Sequence, residues 1–184
     1  MAGRVCPWWM AYTFDNPLRH FIHKPEKLLG PYVQKGMTVM DIGCGMGFFS
    51  LGMARLVGDS GRVLSVDIQQ KMLDVLKKRA RKAGVLNRIQ LVKCEPGTIS
   101  VEARVDFILC FWMVHEVPDS AAFFQQLRQH INQNGRVLIA EPNNHVSDAD
   151  FEKTVRLVQE SGFILADRPK ISMSKAALFV AHTA

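Results

Sequence analysis

Asp41-Ile42-Gly43-Cys44-Gly45-Met46-Gly47 is the stretch on which the fold of this chain turns. An apolar run over residues 37–42 leads into it, and a helically spaced segment over 48–57, closed by Gly58, leads out of it. Three glycines at alternate positions let a backbone bend sharply and come close to a ligand, because no Cβ stands in the way. The helix that begins directly after the loop points its unpaired N–H groups into the same crevice. A tight turn alone would need one glycine. Strand, triple-glycine loop and helix in succession predict a ligand site at the first turn of an α/β unit.

Outward from that loop the same alternation continues. Strand-like runs fall at 62–66, 89–93, 105–111, 136–140, 163–166 and 177–181, and helix-like segments at 69–83, 121–130 and 147–161. Residues 105–111 are nearly all apolar, as a strand buried on both faces should be. Gly84 and Gly162 stand where helices stop, Ser147 with Asp150 has the spacing of a capping box, and Asn134-Gly135 reads as a turn. Repeated strand–helix units predict an α/β fold, doubly wound, with a mostly parallel sheet covered by helices on both faces. Residues 1–36 differ: Trp8, Trp9, Tyr12, Phe14 and Phe21 crowd without a clean period, with Pro-led helix starts at Asn16-Pro17 and at Pro25. They are expected to form an arm over the ligand end of a domain spanning 37–184.

Composition excludes several classes. The chain has 184 residues, 23 Lys plus Arg against 17 Asp plus Glu, and a net charge of +6. At ~100–200 residues per domain this length predicts one domain. With 48% hydrophobic and 22% charged residues it is globular and not disordered. No apolar run approaches the ~20 residues of a membrane span. The apolar start is broken by Cys6-Pro7 and followed by Asp15-Asn16-Pro17, unlike an export signal. Cysteines at 6, 44, 94 and 110 form no Cys-x-x-Cys pair, so reduced thiols and a cytoplasmic location are expected. Lys71, Lys77, Lys78, Arg79, Arg81 and Lys82 lie opposite Met72, Leu73, Leu76 and Ala80 on a helical wheel. That basic stripe is a solvated face or an attractor of anionic partners. No aromatic residues interleave it, which argues against nucleic acid.

A dinucleotide fingerprint would need glycine at position 48, where the chain has Phe48. Alternate glycines with an acid two residues ahead resemble instead motif I of class I methyltransferases that use S-adenosylmethionine (SAM). Asp67, 20 residues past Gly47, closes the second strand as in that family. Phe111-Trp112-Met113-Val114-His115-Glu116-Val117-Pro118-Asp119, Arg136-Val137-Leu138-Ile139-Ala140-Glu141-Pro142 and Glu160-Ser161-Gly162-Phe163 are similar to later family segments. The resemblance covers roughly residues 36–182. It implies a Rossmann-like seven-stranded sheet in the order 3-2-1-4-5-7-6, with the last strand antiparallel. It implies SAM as cofactor and S-adenosyl-L-homocysteine as product.

The resemblance also implies roles. Gly43, Gly45 and Gly47 would present backbone to the methionine part of the cofactor, with Asp41 holding the loop near the ammonium. Asp67 would accept from the ribose hydroxyls, and Ile68, Cys94 and Glu95 would surround the adenine. Glu95 is offset from the family's usual acid. Phe111 and Trp112 would wall the methyl-transfer site, and the arm with Trp8, Trp9, Tyr12 and Phe14 would close over the substrate. His115, the one histidine at a ligand-end strand terminus, is the candidate base or substrate contact. The acidic pattern of metal-dependent relatives is not reproduced, so no metal is expected. Phe111-Trp112-Met113-Val114 stands where enzymes acting on nucleic-acid bases carry an Asn/Asp-Pro-Pro-Tyr-type motif, so a small-molecule acceptor is expected. The rivals are an RNA or protein methyltransferase using the basic helix, a non-catalytic SAM-binding module and, more distantly, a nicotinamide oxidoreductase.

Overall fold

The computed structural model describes residues 22–181. Along the chain they form α1 (Pro25–Leu29), β1 (Thr38–Ile42), α2 (Phe48–Val57), β2 (Arg62–Asp67), α3 (Gln70–Lys82), β3 (Ile89–Lys93), β4 (Val105–Phe111), α4 (Ser120–His130), β5 (Ile131–Pro142), α5 (Asp148–Glu160), β6 (Phe163–Asp167) and β7 (Ser174–Ala181). The seven strands make one sheet in the order β3-β2-β1-β4-β5-β7-β6. The strands β1 to β5 pair in parallel, and β7 runs antiparallel to both β5 and β6. This is the doubly wound order expected from the sequence.

Side chains alternate across a strand, so each central strand feeds two cores. Met40, Leu64, Val66, Ile108 and Cys110 face one side, where Phe124, Leu127, Phe151 and Val158 of α4 and α5 cover them. Val39, Val63, Phe107, Leu109 and Phe111 face the other, under Leu29, Phe49, Met53, Leu73 and Leu76 of α1, α2 and α3. Burial on both faces explains why β1 and β4 read as apolar runs without a period of two. In α3, Met72, Leu73, Leu76 and Ala80 are buried, which turns Lys71, Lys77, Lys78, Arg81 and Lys82 to solvent. Ser147 caps α5 by accepting from the Asp150 N–H at 3.1 Å and donating to its carboxylate at 2.6 Å. Cys44, Cys94 and Cys110 are free and buried.

One expectation changes. Asn134-Gly135 is not a turn between helix and strand. The strand β5 begins at Ile131 and runs through it, and pairing with β4 jumps from Val105↔Ile131 to Phe107↔Arg136. Asn134 takes φ +60° at this bulge, so turn-forming residues serve to insert extra chain into a continuing strand. Leu29 and Val33 belong to the core beneath α2. Trp8, Trp9, Tyr12 and Phe14 lie outside the described residues. Among the described residues, no helix is long and apolar enough to cross a membrane.

The seating of α1 depends on Gly52, since a Cβ there would lie 2.4 Å from Pro25 Cβ. Replacing a helical glycine by alanine ordinarily adds about 1 kcal/mol of stability. Here overlap with a rigid ring costs about 1–3 kcal/mol and reverses the sign. Gly52→Ala is therefore expected to lower the thermal midpoint by a few degrees, on the order of 3 °C. A midpoint above wild type would show that α1 does not pack as described.

Candidate active site

At the carboxyl ends of β1 and β2 the glycine loop folds over a buried acid. Gly43, Gly45 and Gly47 take φ of +67°, +53° and +85°, the left-handed region that side chains disfavour. Two of them are needed by packing. A Cβ at Gly43 would lie 2.9 Å from Met113 Cβ, and one at Gly47 would lie 2.1 Å from Leu76 Cδ1. At Gly45 a Cβ would meet nothing within 4 Å and would point into open space. The loop is held to β2 by the Gly43 and Cys44 N–H groups, which donate to the Val66 carbonyl at 2.9 and 3.1 Å.

Asp67, 7% exposed, is the acid. Gly45 N–H donates to its Oδ2 and Gln69 N–H to its Oδ1, each at 2.8 Å. Burial pushes its carboxyl above the ordinary value, and donation from the Gln69, Gly45 and Ile68 N–H groups pulls the other way. A carboxylate offers about four acceptor positions, so acceptor capacity is left for the hydroxyls of a ligand. Below the loop, Asp41 is 2% exposed. Ser50 Oγ donates to it at 2.5 Å and Ser65 Oγ donates to Ser50 at 2.9 Å, a buried chain that ties α2 and β2 to β1.

Cys94 N–H donates to the Asp67 carbonyl at 3.2 Å, which brings the end of β3 to the end of β2. Burial, with the Asp67 charge second, raises the Cys94 thiol to about 11. Burial also raises the Cys44 thiol well above its usual value. Both are therefore neutral, weakly polar surface at physiological pH and not nucleophiles. Ile68 is half-buried against the same cluster as Cys94. Glu95 parts from its neighbour: its side chain is 75% exposed and sits 3.5 Å from Lys93 Nζ.

The opposite wall comes from the tips of β4 and β5. Phe111 is buried with its ring centroid 4.3 Å from Phe49 and 5.4 Å from Trp112. Trp112 takes φ +58°, donates its N–H to the Ala140 carbonyl at 2.7 Å and its indole N–H to Ser174 Oγ at 2.9 Å. The chain then turns around Glu141, which is 1% exposed. Its Oε1 accepts from the Met113 and Val114 N–H groups at 3.1 and 3.0 Å. Its Oε2 accepts from His115 N–H at 3.2 Å and from His115 Nδ1 at 2.5 Å. The last contact puts the proton on Nδ1 of neutral His115 and leaves Nε2 as the basic atom. The bond to Glu141 raises the His115 pKa above its usual value, burial opposes, and the charges of Glu141 and Glu116 add to the rise.

The sequence offers Glu141 only as a conceivable metal ligand and His23, with Arg19 and His20, only as a contact for an anionic substrate. Glu141 was visible as an acid ending a ligand-side strand, but its partners lie across the sheet. His23 precedes the first regular element, where no local pattern names its partners. Its ring is buried edge-on to Phe111 and Trp112, with centroids 5.3 and 5.5 Å away. Its Nε2 lies 2.8 Å from the Ser172 carbonyl, which only accepts, so Nε2 bears the proton.

A methyltransferase-domain family profile matches residues 33–175. The chain belongs to the class I SAM-dependent methyltransferases. Over 109 residues it is 33% identical to a probable cobalt-precorrin-6B C(15)-methyltransferase (decarboxylating) of Saccharolobus solfataricus, covering 58% of this chain and 53% of that one. Over 144 residues it is 30% identical to a ubiquinone biosynthesis O-methyltransferase of Leptothrix cholodnii, covering 75% of this chain and 59% of that one. The chain thus spans little more than half the length of these curated relatives. The crystal structure of a SAM-dependent methyltransferase from Aquifex aeolicus superposes with a TM-score of 0.87 at 21% identity, covering 96% of this chain and 100% of that one, and shows the same fold. The residues of this methyltransferase fit the cofactor: open space above Gly45 and a buried acid with acceptor capacity to spare.

The His115–Glu141 contact makes stability depend on pH. A histidine whose folded pKa is raised adds stability that is complete below the unfolded value of about 6.5 and is lost as pH rises through the folded value. The difference in thermal midpoint between wild type and His115→Gln should therefore be larger near pH 5.5 than near pH 9. A difference that stays constant or grows with pH would mean that the bond to Glu141 does not favour the imidazolium.

Proposed function

We propose that this methyltransferase transfers the methyl group of SAM to a small-molecule acceptor held at the tips of β4, β5 and β7. One observation carries the assignment: the left-handed glycine loop is closed onto Asp67 through the Gly45 N–H while its middle residue faces open space. Gly43, Gly45 and Gly47 present backbone to the methionine part of the cofactor, and Asp41, through Ser50, keeps the loop in place. Asp67 accepts from the ribose hydroxyls, and Ile68 and Cys94 pack against the adenine. Phe111 and Trp112 wall the transfer site.

SAM, when bound, would supply an electrophilic methyl group on its sulfonium sulfur, with S-adenosylhomocysteine as the leaving group that keeps the C–S electron pair. The chain itself needs to hold the acceptor in line and keep water out. Where the acceptor atom bears a proton, His115 Nε2 receives it, with Nδ1 held by Glu141. A small acceptor is supported by the names of the two relatives, a precorrin and a ubiquinone-biosynthesis methyltransferase. It is supported too by Phe111-Trp112-Met113-Val114 after β4, which lacks a base-recognition motif.

Asp67→Ala removes hydrogen bonds to a charged acceptor and is expected to raise the SAM dissociation constant about tenfold or more by calorimetry. Unchanged affinity in the folded variant would overturn the cofactor placement. Methyl release from labelled SAM is expected with a panel of hydroxylated and aminated metabolites. Label that passes only to RNA or protein would replace the small acceptor by its rival.

A further inference from the structure

We propose that the methyl acceptor is an anion, a carboxylate or phosphate on an apolar body, and that Lys24, Lys27 and Lys170 anchor it in a cavity beside the transfer site. This deepens the small-molecule function above and rests on it. The cavity measures about 510 Å³ and lies between α1 and the loop joining β6 to β7. It is an open hollow, and its volume is within the range of small-ligand sites.

Its position ties it to the chemistry. The strand β6 is antiparallel to β7, which is antiparallel to β5, so the β6–β7 loop leaves the sheet at the end where β1 and β4 deliver the glycine loop and Phe111. His23 lines the cavity and packs edge-on against Phe111 and Trp112. It also grips the loop through the Ser172 carbonyl. One imidazole thus forms both a cavity wall and the backing of the transfer site.

Its chemistry selects an amphiphilic anion. Lys24 and Lys27 come from one helical turn and Lys170 from a segment distant in sequence, yet all three line the same space. Among the described residues none of the three makes an ion pair, although Arg55, Arg88, Arg168 and Lys175 each do. Among the described residues, no carboxylate lines the cavity. Asp167 acts on Tyr32 from outside the lining, where Arg136 opposes it. Leu28, Ile171 and Tyr32 add apolar surface to the same lining. Like charges gathered around a hollow of mixed polar and apolar lining repel one another, and an anionic guest relieves that repulsion. A merely solvated basic face would place its lysines on a convex surface.

The test is calorimetric titration of the full chain with 4-phenylbutyrate, phenyl phosphate and the neutral 4-phenylbutanamide. Wild type is compared with the variant carrying Lys24→Gln, Lys27→Gln and Lys170→Gln, and with the three single variants should the triple variant fail to fold. At least one anion should bind about tenfold more tightly than the amide, the better one telling carboxylate from phosphate. The triple variant should lose that preference while its SAM affinity stays within about twofold of wild type. Equal binding of acid and amide, no binding of either anion, or an undiminished preference in the variants would overturn the proposal. SAM titrated into the same samples separates the two claims. A wild type that fails to bind SAM overturns the cofactor assignment, and intact SAM binding without anion preference overturns only the acceptor class.

Discussion

A buried carboxylate must find hydrogen-bond donors, and at Asp67 one of them is the Gly45 amide. That bond makes the shape of the glycine loop and the polarity of the crevice a single property. The loop reaches the acid only with left-handed backbone at three positions. The acid is retained in a largely buried place only because the loop and the Gln69 amide satisfy it. Beneath it, Asp41, Ser50 and Ser65 repeat the device on a smaller scale and keep the first turn of α2 from drifting away from β1.

A second buried carboxylate does equivalent work across the crevice. Glu141 gathers three successive amides after β4 and the imidazole of His115, so the chain doubles back and sets Met113 against Gly43. The two walls of the crevice are thus each organised by one acid at a strand end. The glycine loop touches both, through Gly45 on one side and Gly43 on the other. The aromatic residues Phe49, Phe111 and Trp112 fill the space between the two polar centres, and His23 links them to the β6–β7 loop.

What the amino-acid order determined by itself was local. The spacing of apolar residues in α3, the cap at Ser147 and the triple glycine before α2 each express a preference of a few neighbouring residues, and each appears in the structure where the chain announces it. The place of Asp67 at the end of β2, with its relation to the glycines, was legible for the same reason. Tertiary structure alone decided the rest. Asn134-Gly135 has the composition of a turn, but pairing with β4 and β7 on both sides makes it a bulge in a long strand. Cys94 and Glu95 are adjacent, and only the packing of β3 against β2 decides that the thiol goes inward and the carboxylate outward. The partners of Glu141 lie more than twenty residues away across the parallel pair β4 and β5, and the Ser172 partner of His23 lies 149 residues away in the β6–β7 loop. Register between such strands is set by which side chains fill the shared core, and no local pattern encodes it.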